Sequence, residues 1–344
     1  MEDLSFQQTV DRVLVHRHAV NEVFLTDLVP IDRDTCVIGA QLPLSHPYFL
    51  DQRAPTARYD ALLLTECCRQ AGTYVAHTQY GVARDWVFLA AATSIELERT
   101  DVLEVGDSPG ELTLEVHSLP SFRGGRLRSV RTRLDLSIAG ERIGVMEGEG
   151  RYLDREEYGL LRQGGRGGQV PLSSALGAEP AGVPVAPRLV ERRDPRNVLL
   201  VDAHGTADGV AARLWVSGRH ATIFDHPLDH YPAMALLEAA AQATTLAVRL
   251  DGASSGRDDG VSAARTDAAD VRITGLAADY VRFAEVDADV DIMATITERP
   301  PAVGHGPVAA NVVFRQQGAV LTEIVVSAEL HATDRTPARQ AVAA

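Results

Sequence analysis

Hydrophobic and polar residues follow two different periods along the chain. Ala61–Tyr80 and Ala233–Leu250 carry apolar residues on more than one side of a 3.6-residue repeat, which predicts two helices buried nearly all round. Other segments alternate with period two and predict β-strands. These segments are Glu111–His117, Ser129–Ile138, Val286–Ile296 and Val308–Phe314.

The two helical segments belong to an internal repeat. YDALLLTECCRQA, from Tyr59, and YPAMALLEAAAQA, from Tyr231, share Tyr, Glu, Gln and Ala at identical spacing. Upstream of them, HPYFLD, from His46, parallels HATIFD, from His220, with His and Asp equally far apart. Two anchors in the same order indicate that the second half duplicates the first.

An alternating hairpin closes each half and supplies a third anchor. Its turns carry Ala139-Gly140 in the first half and Gln317-Gly318 in the second, where glycine provides positive φ. Strands segregated around one long helix make each half α+β. The expected fold is a tandem (double) hotdog, in which each half is an antiparallel sheet wrapped around one central helix.

Composition marks the borders between the halves. Residues 163–187 are rich in Gly, Pro, Ser and Ala without periodicity, and this predicts a flexible linker. The N-terminal half is therefore 1–162 and the C-terminal half 188–334, with a disordered tail at 335–344. The polar stretch 251–270 is predicted to be a mobile surface loop.

Charge and composition exclude several classes of function. The net charge of −14 argues against a nucleic-acid binder, because neutralising phosphates needs a clustered basic surface. Apart from histidine every basic side chain is Arg, so no lysine Schiff base or lysine general base can operate. No apolar run approaches the ~20 residues that span a bilayer, and the polar N-terminus lacks a secretory signal. We expect a cytoplasmic protein that does not contact the membrane.

The three cysteines cannot form a disulfide framework. Cys67 and Cys68 are adjacent in an apolar helical pattern, which favours buried, reduced thiols, and Cys36 is the third. A nucleophilic cysteine is the weaker alternative, since the nearest histidine, His77, lies well along the same helix.

Two long motifs resemble one protein family. VHRHAVNEVFLTD, from Val15, and FDHPLDHYPAMALLEA, from Phe224, are similar to the opening motif and the central signature of the AfsA-type γ-butyrolactone synthases. HPYFLD and LLLTECCRQ form a weaker first-half version, so the resemblance extends over about the whole chain.

The resemblance implies an acyltransferase. Enzymes of this family move a β-ketoacyl group from acyl carrier protein or coenzyme A to the hydroxyl of dihydroxyacetone phosphate, and the ester then cyclises toward a butenolide. No cofactor beyond the carrier thioester is implied. A more distant resemblance to β-hydroxyacyl carrier-protein dehydratases leaves a dehydratase, a thioesterase or a non-catalytic acyl-binding homologue as alternatives.

The chain departs from the family pattern E-A-x-R-Q on the helix. The first half keeps the arginine as Arg69, whereas the second half has Ala241 in its place. Conversely, His226 follows Asp225 in the second half, and Gln52 stands at its counterpart in the first. Each half therefore lacks one of these two polar residues, the helix arginine or the loop histidine, and two equivalent active sites are not expected.

Glu66 and Arg69 are candidates for acid–base or anion-binding chemistry. They lie three residues apart on one helix face, together with Gln70. The structural alternative is an internal ion pair that allows charge inside a buried helix. Glu238 lacks that arginine, so its pKa is predicted to be raised by burial.

His226 is the candidate proton carrier, with Asp225 beside it. A neutral imidazole takes a proton from a hydroxyl and then returns it to a thiolate leaving group. Because the loop of one hotdog faces the helix of the other, we expect one composite site with His226 and Asp225 opposite Glu66 and Arg69. A complementary site is expected to pair His46 with Glu238.

Further residues around these groups are candidates for substrate binding. The helix N-termini near Tyr59-Asp60 and Tyr231-Pro232 offer backbone N–H groups to a thioester oxyanion. No metal site is predicted, since the only close histidine pairs, such as His16 and His18, are weak signals. The candidate substrate contacts are Gln70, Tyr59, His46, Asp51, Tyr231, His230 and Gln242.

The expected partners are small molecules: an acyl thioester and a hydroxylated acceptor. An acidic carrier protein needs a basic docking face, and a strand region rich in arginine is the candidate, although it resembles an ordinary solvated edge. Its members are Arg123, Arg126, Arg128, Arg131 and Arg133. The chain is expected to be a monomer that forms an internal pseudo-dimer, or a homodimer.

Overall fold

The computed structural model describes residues 4–54, 56–166, 170–254, 269–299 and 306–332. Its helices are α1 (Ala61–Thr78), α2 (Arg155–Arg166) and α3 (Ala233–Ser254). The strands of the first half are β1 (Leu25–Pro30), β2 (Thr35–Leu42), β3 (Val87–Leu97), β4 (Gly110–Arg123), β5 (Arg126–Ile138) and β6 (Glu141–Leu153). Those of the second half are β7 (Leu200–Gly205), β8 (Gly209–Leu214), β9 (Ala269–Tyr280), β10 (Val290–Glu298), β11 (Gly306–Gln316) and β12 (Ala319–Ala332).

All of these strands form one antiparallel sheet of twelve strands. Its order is β1-β2-β4-β5-β6-β3-β9-β12-β11-β10-β8-β7, so the second half repeats the first in reverse across the β3–β9 junction. At that junction Ala92 pairs with Asp279 and Glu96 with Gly275. The duplication and the double hotdog are confirmed, because each half contributes six strands and one long helix at corresponding positions.

The long helices are buried because apolar residues occupy most of their surface. α1 is capped by Asp60, whose side chain accepts a hydrogen bond from the N–H of Leu63. It also buries polar residues: Glu66 and Gln70 are fully inaccessible, as is Glu238 on α3. Buried polar groups are costly unless they are paired, so these positions point to the site described below. None of the described helices is long and apolar enough to span a bilayer.

The observed strands are mostly longer than the predicted ones. β4 continues to Arg123 and β11 to Gln316, but β10 begins at Val290 and not at Val286. Both hairpin turns form as predicted at Gly140 and Gly318, with φ of 79° and 80°. The preceding residues, Ala139 and Gln317, are also left-handed, which is the two-residue turn that matches strand twist.

The region predicted as a linker contains ordered contacts. α2 extends into its first residues and ends at Arg166, and Ser173 is fully buried. The N–H of Ser173 donates to the carbonyl of Leu228 over 2.6 Å, which fixes the segment on the second half. The composition of this segment did not predict these contacts, because they are made by backbone hydrogen bonds. The exact domain boundaries stay a prediction.

The prediction of a surface loop at 251–270 is wrong at both ends. α3 continues through residues 251–254, and β9 already includes 269 and 270. The middle of that stretch and the predicted tail at 335–344 lie outside the described residues.

Gly144 on β6 lies in close contact with the backbone of the adjacent strand β3. A Cβ there would lie 2.2 Å from the Glu96 carbonyl oxygen, whereas a Cβ at Gly148 on the same strand meets the Ala92 oxygen at 3.3 Å. Gly144→Ala is therefore expected to lower the free energy of unfolding by about 1–3 kcal/mol, as overpacking does. Chemical denaturation measures this, with Gly148→Ala as the matched control. Equal losses in both variants would contradict the backbone clash.

Candidate functional site

The opening segment forms a kink that sends one arginine into the core. Two short 3-10 turns, Arg12–Val15 and Val20–Glu22, flank it. His16 ends the first turn in the left-handed conformation, with φ of 54°. The next residue, Arg17, is only 8% exposed, so its guanidinium is buried between the two halves.

Arg17 meets Glu66 inside the protein. Its Nη2 lies 2.7 Å from Glu66 Oε1, and Arg69 holds both carboxylate oxygens at 2.7 and 2.8 Å. Gln70 Nε2 donates to the same Oε1 over 2.7 Å. Burial alone would raise the pKa of Glu66, but the two guanidinium groups outweigh it and hold this pKa at about 2. Glu66 is therefore a carboxylate at neutral pH and cannot donate a proton.

The loop of the second half is docked on this segment. Arg17 Nη1 donates to the carbonyl of Thr222 over 3.0 Å. The N–H groups of His18 and Ala19 donate to the Asp225 carboxylate over 2.5 and 2.9 Å. The structure thus brings Asp225 and its loop to the part of the first half that binds Glu66.

Asp225 also touches the imidazole of His226. The distance from His226 Nδ1 to Asp225 Oδ2 is 3.5 Å, and the ring stacks on that of His18 with centroids 4.7 Å apart. Partial burial would raise the pKa of Asp225, but the hydrogen bonds from His226, His18 and Ala19 lower it to about 2. A carboxylate at Nδ1 favours the tautomer whose Nε2 accepts a proton, which is the arrangement of a general base.

His16 lies near these groups and contacts His77. Its Nε2 is 2.9 Å from His77 Nε2, and His77 Nδ1 is 2.7 Å from the Val82 carbonyl oxygen. Burial, followed by the charges of Arg69, His77 and His226, lowers the pKa of His16 to about 3. His16 is consequently neutral and packs as a fixed wall beside Arg69 and His226.

The second half repeats the arginine–glutamate arrangement. Arg192 Nε and Nη2 donate to the Glu238 carboxylate over 2.9 and 2.5 Å, and Gln242 donates to it as well. Arg192 Nη1 donates to the Tyr48 carbonyl over 3.0 Å, as Arg17 does to Thr222. The prediction that Glu238 has no cation is wrong, because Arg192 reaches it from outside the helix.

Asp51 is the structural counterpart of Asp225. It accepts hydrogen bonds from the backbone N–H groups of Arg193 and Asp194, and from Asn197 Nδ2 over 2.8 Å. The residue after it, Gln52, donates to Asp60 Oδ2 over 2.9 Å. The second site therefore keeps the loop anchor but has an amide where the first site has the imidazole of His226.

The predicted pairing of His46 with Glu238 is wrong. His46 Nε2 lies 3.4 Å from Glu22 Oε1, and its Nδ1 accepts from the N–H of Tyr48 over 3.2 Å. His220 repeats this position and contacts Asn197 Oδ1 at 3.2 Å. Both histidines hold their loops in place, and neither lies at the carboxylate of the facing helix.

The other predicted substrate contacts have structural partners. Gln70 and Gln242 bind the glutamate one turn earlier on their helices. The N–H of Gly110 donates to the Tyr59 hydroxyl over 3.0 Å, and Tyr231 is buried. His230 is held by Asp229, with 2.6 Å between Nδ1 and Oδ1.

The two helix N-termini differ. Asp60 occupies one N–H of α1, that of Leu63, with its own carboxylate. α3 begins after Pro232, whose side chain carries no acceptor and cannot cap the helix. The first turn of α3 is therefore the better place for a developing oxyanion.

Beside Glu238 lies a cavity that is open to solvent and is bounded by the start of α1 and by Ala241; its space, with the solvent at its mouth, is about 790 Å³. The cysteines contribute no nucleophile: burial raises the pKa of Cys36 to about 12 and raises those of Cys67 and Cys68 still further. Among the described residues no three His, Cys, Asp or Glu side chains cluster as metal ligands.

Comparison with known proteins identifies the family. The model of the A-factor biosynthesis hotdog domain (AfsA) matches residues 1–154 and 175–331. The chain belongs to the AfsA hotdog family. A 2-oxo-3-(phosphooxy)propyl 3-oxoalkanoate synthase of Streptomyces virginiae is 35% identical over 68% of this chain and 76% of its own length. The synthase of the same name from Streptomyces coelicolor is 31% identical over 92% of this chain and 91% of its own.

A solved structure supports the fold. A protein from Novosphingobium aromaticivorans, provisionally assigned as a thioesterase, aligns with 88% of this AfsA-family chain and 97% of its own at a TM-score of 0.50. Its sequence identity is 13%, so the likeness concerns the fold alone.

Sequence reasoning missed Arg17 and Arg192. Each arginine directly follows a residue in the left-handed conformation, His16 or Glu191. Five residues after each arginine, Glu22 or Asn197 contacts a loop histidine. Aligning HRHAVNEVFL with ERRDPRNVLL would have revealed them as a further anchor of the repeat. The glutamate of each helix thus receives its cation from the segment before β1 or β7.

The depressed pKa of Glu66 predicts a pH dependence of stability. The folded-state value of about 2 lies below the ordinary 4.5, so Glu66 stabilises the protein above about pH 4.5 and loses this contribution as the pH falls. Glu66→Gln is expected to cost about 3 kcal/mol or more near neutral pH, because two guanidinium groups lose their carboxylate.

The difference in the free energy of unfolding between Glu66→Gln and the wild type should become smaller as the pH falls from about 5 to about 3, because the wild-type carboxylate is then protonated. Urea denaturation at several pH values measures it. The exposed Glu141, which pairs with Arg99, supplies the control Glu141→Gln. A deficit that stays constant over this range would show that the Glu66 charge contributes nothing to stability.

Proposed function

We propose that this protein is an acyl-transferring synthase that esterifies dihydroxyacetone phosphate with a 3-oxoacyl group taken from a carrier thioester. The name shared by the Streptomyces relatives describes an ester. Its alcohol part, 2-oxo-3-(phosphooxy)propyl, is dihydroxyacetone phosphate, and its acid part is a 3-oxoalkanoic acid. Such an ester cyclises toward a butenolide, the precursor of a γ-butyrolactone.

The observation that carries this proposal is the docking of the Asp225-His226 loop beside the Glu66–Arg69 face of the other half. His226 is the general base, and Asp225 orients its ring. His226 remains accessible, with 31% of its side chain exposed, and so does Arg69 with 34%. A substrate can therefore reach both groups from solvent.

Arg69 and Arg17 share the Glu66 carboxylate, and Arg69 still keeps 34% of its side chain exposed. We assign the exposed Arg69 to the phosphate or keto oxygen of the substrate, which a guanidinium binds bidentately. Glu66 holds Arg69 in position and takes no part in proton transfer, since its carboxylate is already bound by three side chains.

The reaction follows from these positions. His226 removes the proton of the acceptor hydroxyl, whose oxygen attacks the thioester carbonyl carbon. The resulting oxyanion is stabilised at the first turn of α3. The C–S bond then breaks, and the proton on His226 passes to the thiolate, so the carrier leaves as a thiol.

A thioester is already activated, and we propose that the reaction needs no cofactor beyond it. The carrier is an acyl carrier protein or coenzyme A, and the setting is cytoplasmic. Three of the five proposed docking arginines have part of their charge neutralised, because Arg126, Arg128 and Arg133 pair with Asp154, Glu157 and Glu147. They do not favour the carrier protein over coenzyme A.

His226→Ala is expected to lower kcat by about 10²–10⁴-fold, the usual effect of removing a general base. The assay supplies a 3-oxoacyl N-acetylcysteamine thioester with dihydroxyacetone phosphate and detects the phosphorylated ester by mass spectrometry. His204→Ala is the matched control, because His204 is an exposed histidine on β7. Wild-type release of free 3-oxo acid, with or without the acceptor, would instead identify a thioesterase and sink the proposal.

A further inference from the structure

The cavity beside Glu238 exists because the second half lacks an arginine on its helix. At the first site Arg69 fills the corresponding space and bonds both Glu66 and the carbonyl of Val15. Ala241 and Val190 occupy the matching positions at the second site, and both line the cavity. The space that a guanidinium fills on one side is therefore open on the other.

The inner part of this cavity carries no unpaired charge. Glu238 is matched by Arg192 and Gln242, and the Asp60 carboxylate is bonded to the N–H of Leu63 and to Gln52. Between these groups the wall is apolar, and it suits a hydrocarbon chain. The apolar residues are Ala54, Leu62, Leu103, Val190, Val271 and Ile273.

The mouth of the cavity is cationic. Arg58 Nη2 and Arg272 Nε donate to the same oxygen of Asp270, over 2.6 and 3.0 Å. Their side chains are 14% and 24% exposed, against 6% for Arg192 at the inner end. The remaining carboxylate of the lining, Glu191, is paired with Arg249, so the two guanidinium groups that face Asp270 leave an excess positive charge. Each guanidinium has five N–H donors, and within the part of the chain that the structure describes most of them stay available to a ligand.

We propose that this cavity is a second ligand site, which binds a hydrocarbon or acyl chain that ends in a carboxylate or a phosphate. The chain lies along the apolar wall, and the anion is bound by Arg58 and Arg272. The apolar wall and the cationic mouth match the two parts of such a ligand. The site binds without catalysing, because Gln52 replaces the imidazole of His226 and no histidine is among the described residues that line it.

Isothermal titration calorimetry with octyl phosphate tests the proposal. Octanoate, 1-octanol and inorganic phosphate are titrated in parallel, to separate the head groups from each other and from the chain. Octyl phosphate or octanoate is expected to bind at least about tenfold more tightly than 1-octanol or phosphate, because only the anionic amphiphiles use both the wall and the mouth. The tighter of the two identifies the head group.

Ala241→Arg should weaken that binding at least about tenfold, since the new guanidinium can occupy the place that Arg69 has at the other site. Arg272→Gln removes one cation without filling the space and should weaken binding severalfold. Arg142→Gln is the matched control, because Arg142 is an exposed arginine of the β5–β6 hairpin. Arg69→Ala should leave this binding unchanged.

Unchanged binding in Ala241→Arg, or loss of binding in Arg69→Ala instead, would place the ligand elsewhere and overturn the proposal. Equal affinities for octyl phosphate and 1-octanol would show that the anionic head group contributes nothing to binding. Should Ala241→Arg fail to fold, Arg272→Gln and Arg58→Gln decide, since both leave the helix intact. The measurement needs no turnover, so an absence of synthase activity would refute the proposed function and leave this result standing.

Discussion

The two halves depend on a buried arginine that each half places against the glutamate of its own helix. Arg17 binds Glu66 and Arg192 binds Glu238, and each of them also donates to a carbonyl in the loop of the opposite half. A buried carboxylate without such a cation would be costly, and so would a buried guanidinium without its carbonyl and carboxylate acceptors. The glutamate, the arginine and the loop carbonyl therefore stabilise one another only when both halves are folded and docked. Formation of the site is in this way part of the folding of the whole chain.

On this shared frame the two interfaces differ at two positions. One has Arg69 on the helix and His226 in the loop; the other has Ala241 and Gln52. The first pair puts a cation and a base around an accessible, polar site. The second pair supplies neither a cation nor a base, and it leaves a cavity with an apolar wall. Because the anchoring residues Asp225 and Asp51 are retained on both sides, the difference concerns chemistry and not folding.

Much of the fold was predictable from the sequence, and the site only in part. The duplication, the two helices and the glycine turns follow from local patterns, which is why they were found. The contacts of the predicted linker were not foreseen, because composition does not report backbone hydrogen bonds such as that of Ser173. The partner of Glu238 was missed because Arg192 lies 46 residues away, and helix spacing reveals only partners on the same helix. The position of His46 likewise depends on Glu22, a contact between two separate loops.

The junction of β3 with β9 has a consequence for the history of such a chain. A sheet that continues through a twofold-related pair of edge strands is what two identical subunits would form side by side. In that arrangement every substitution appears at both interfaces, and a change that opens one pocket also damages the other. Joining the copies in a single polypeptide removes this coupling, so an arginine can be lost at one interface while its twin is preserved. Divergence of the two interfaces is a freedom that covalent fusion confers.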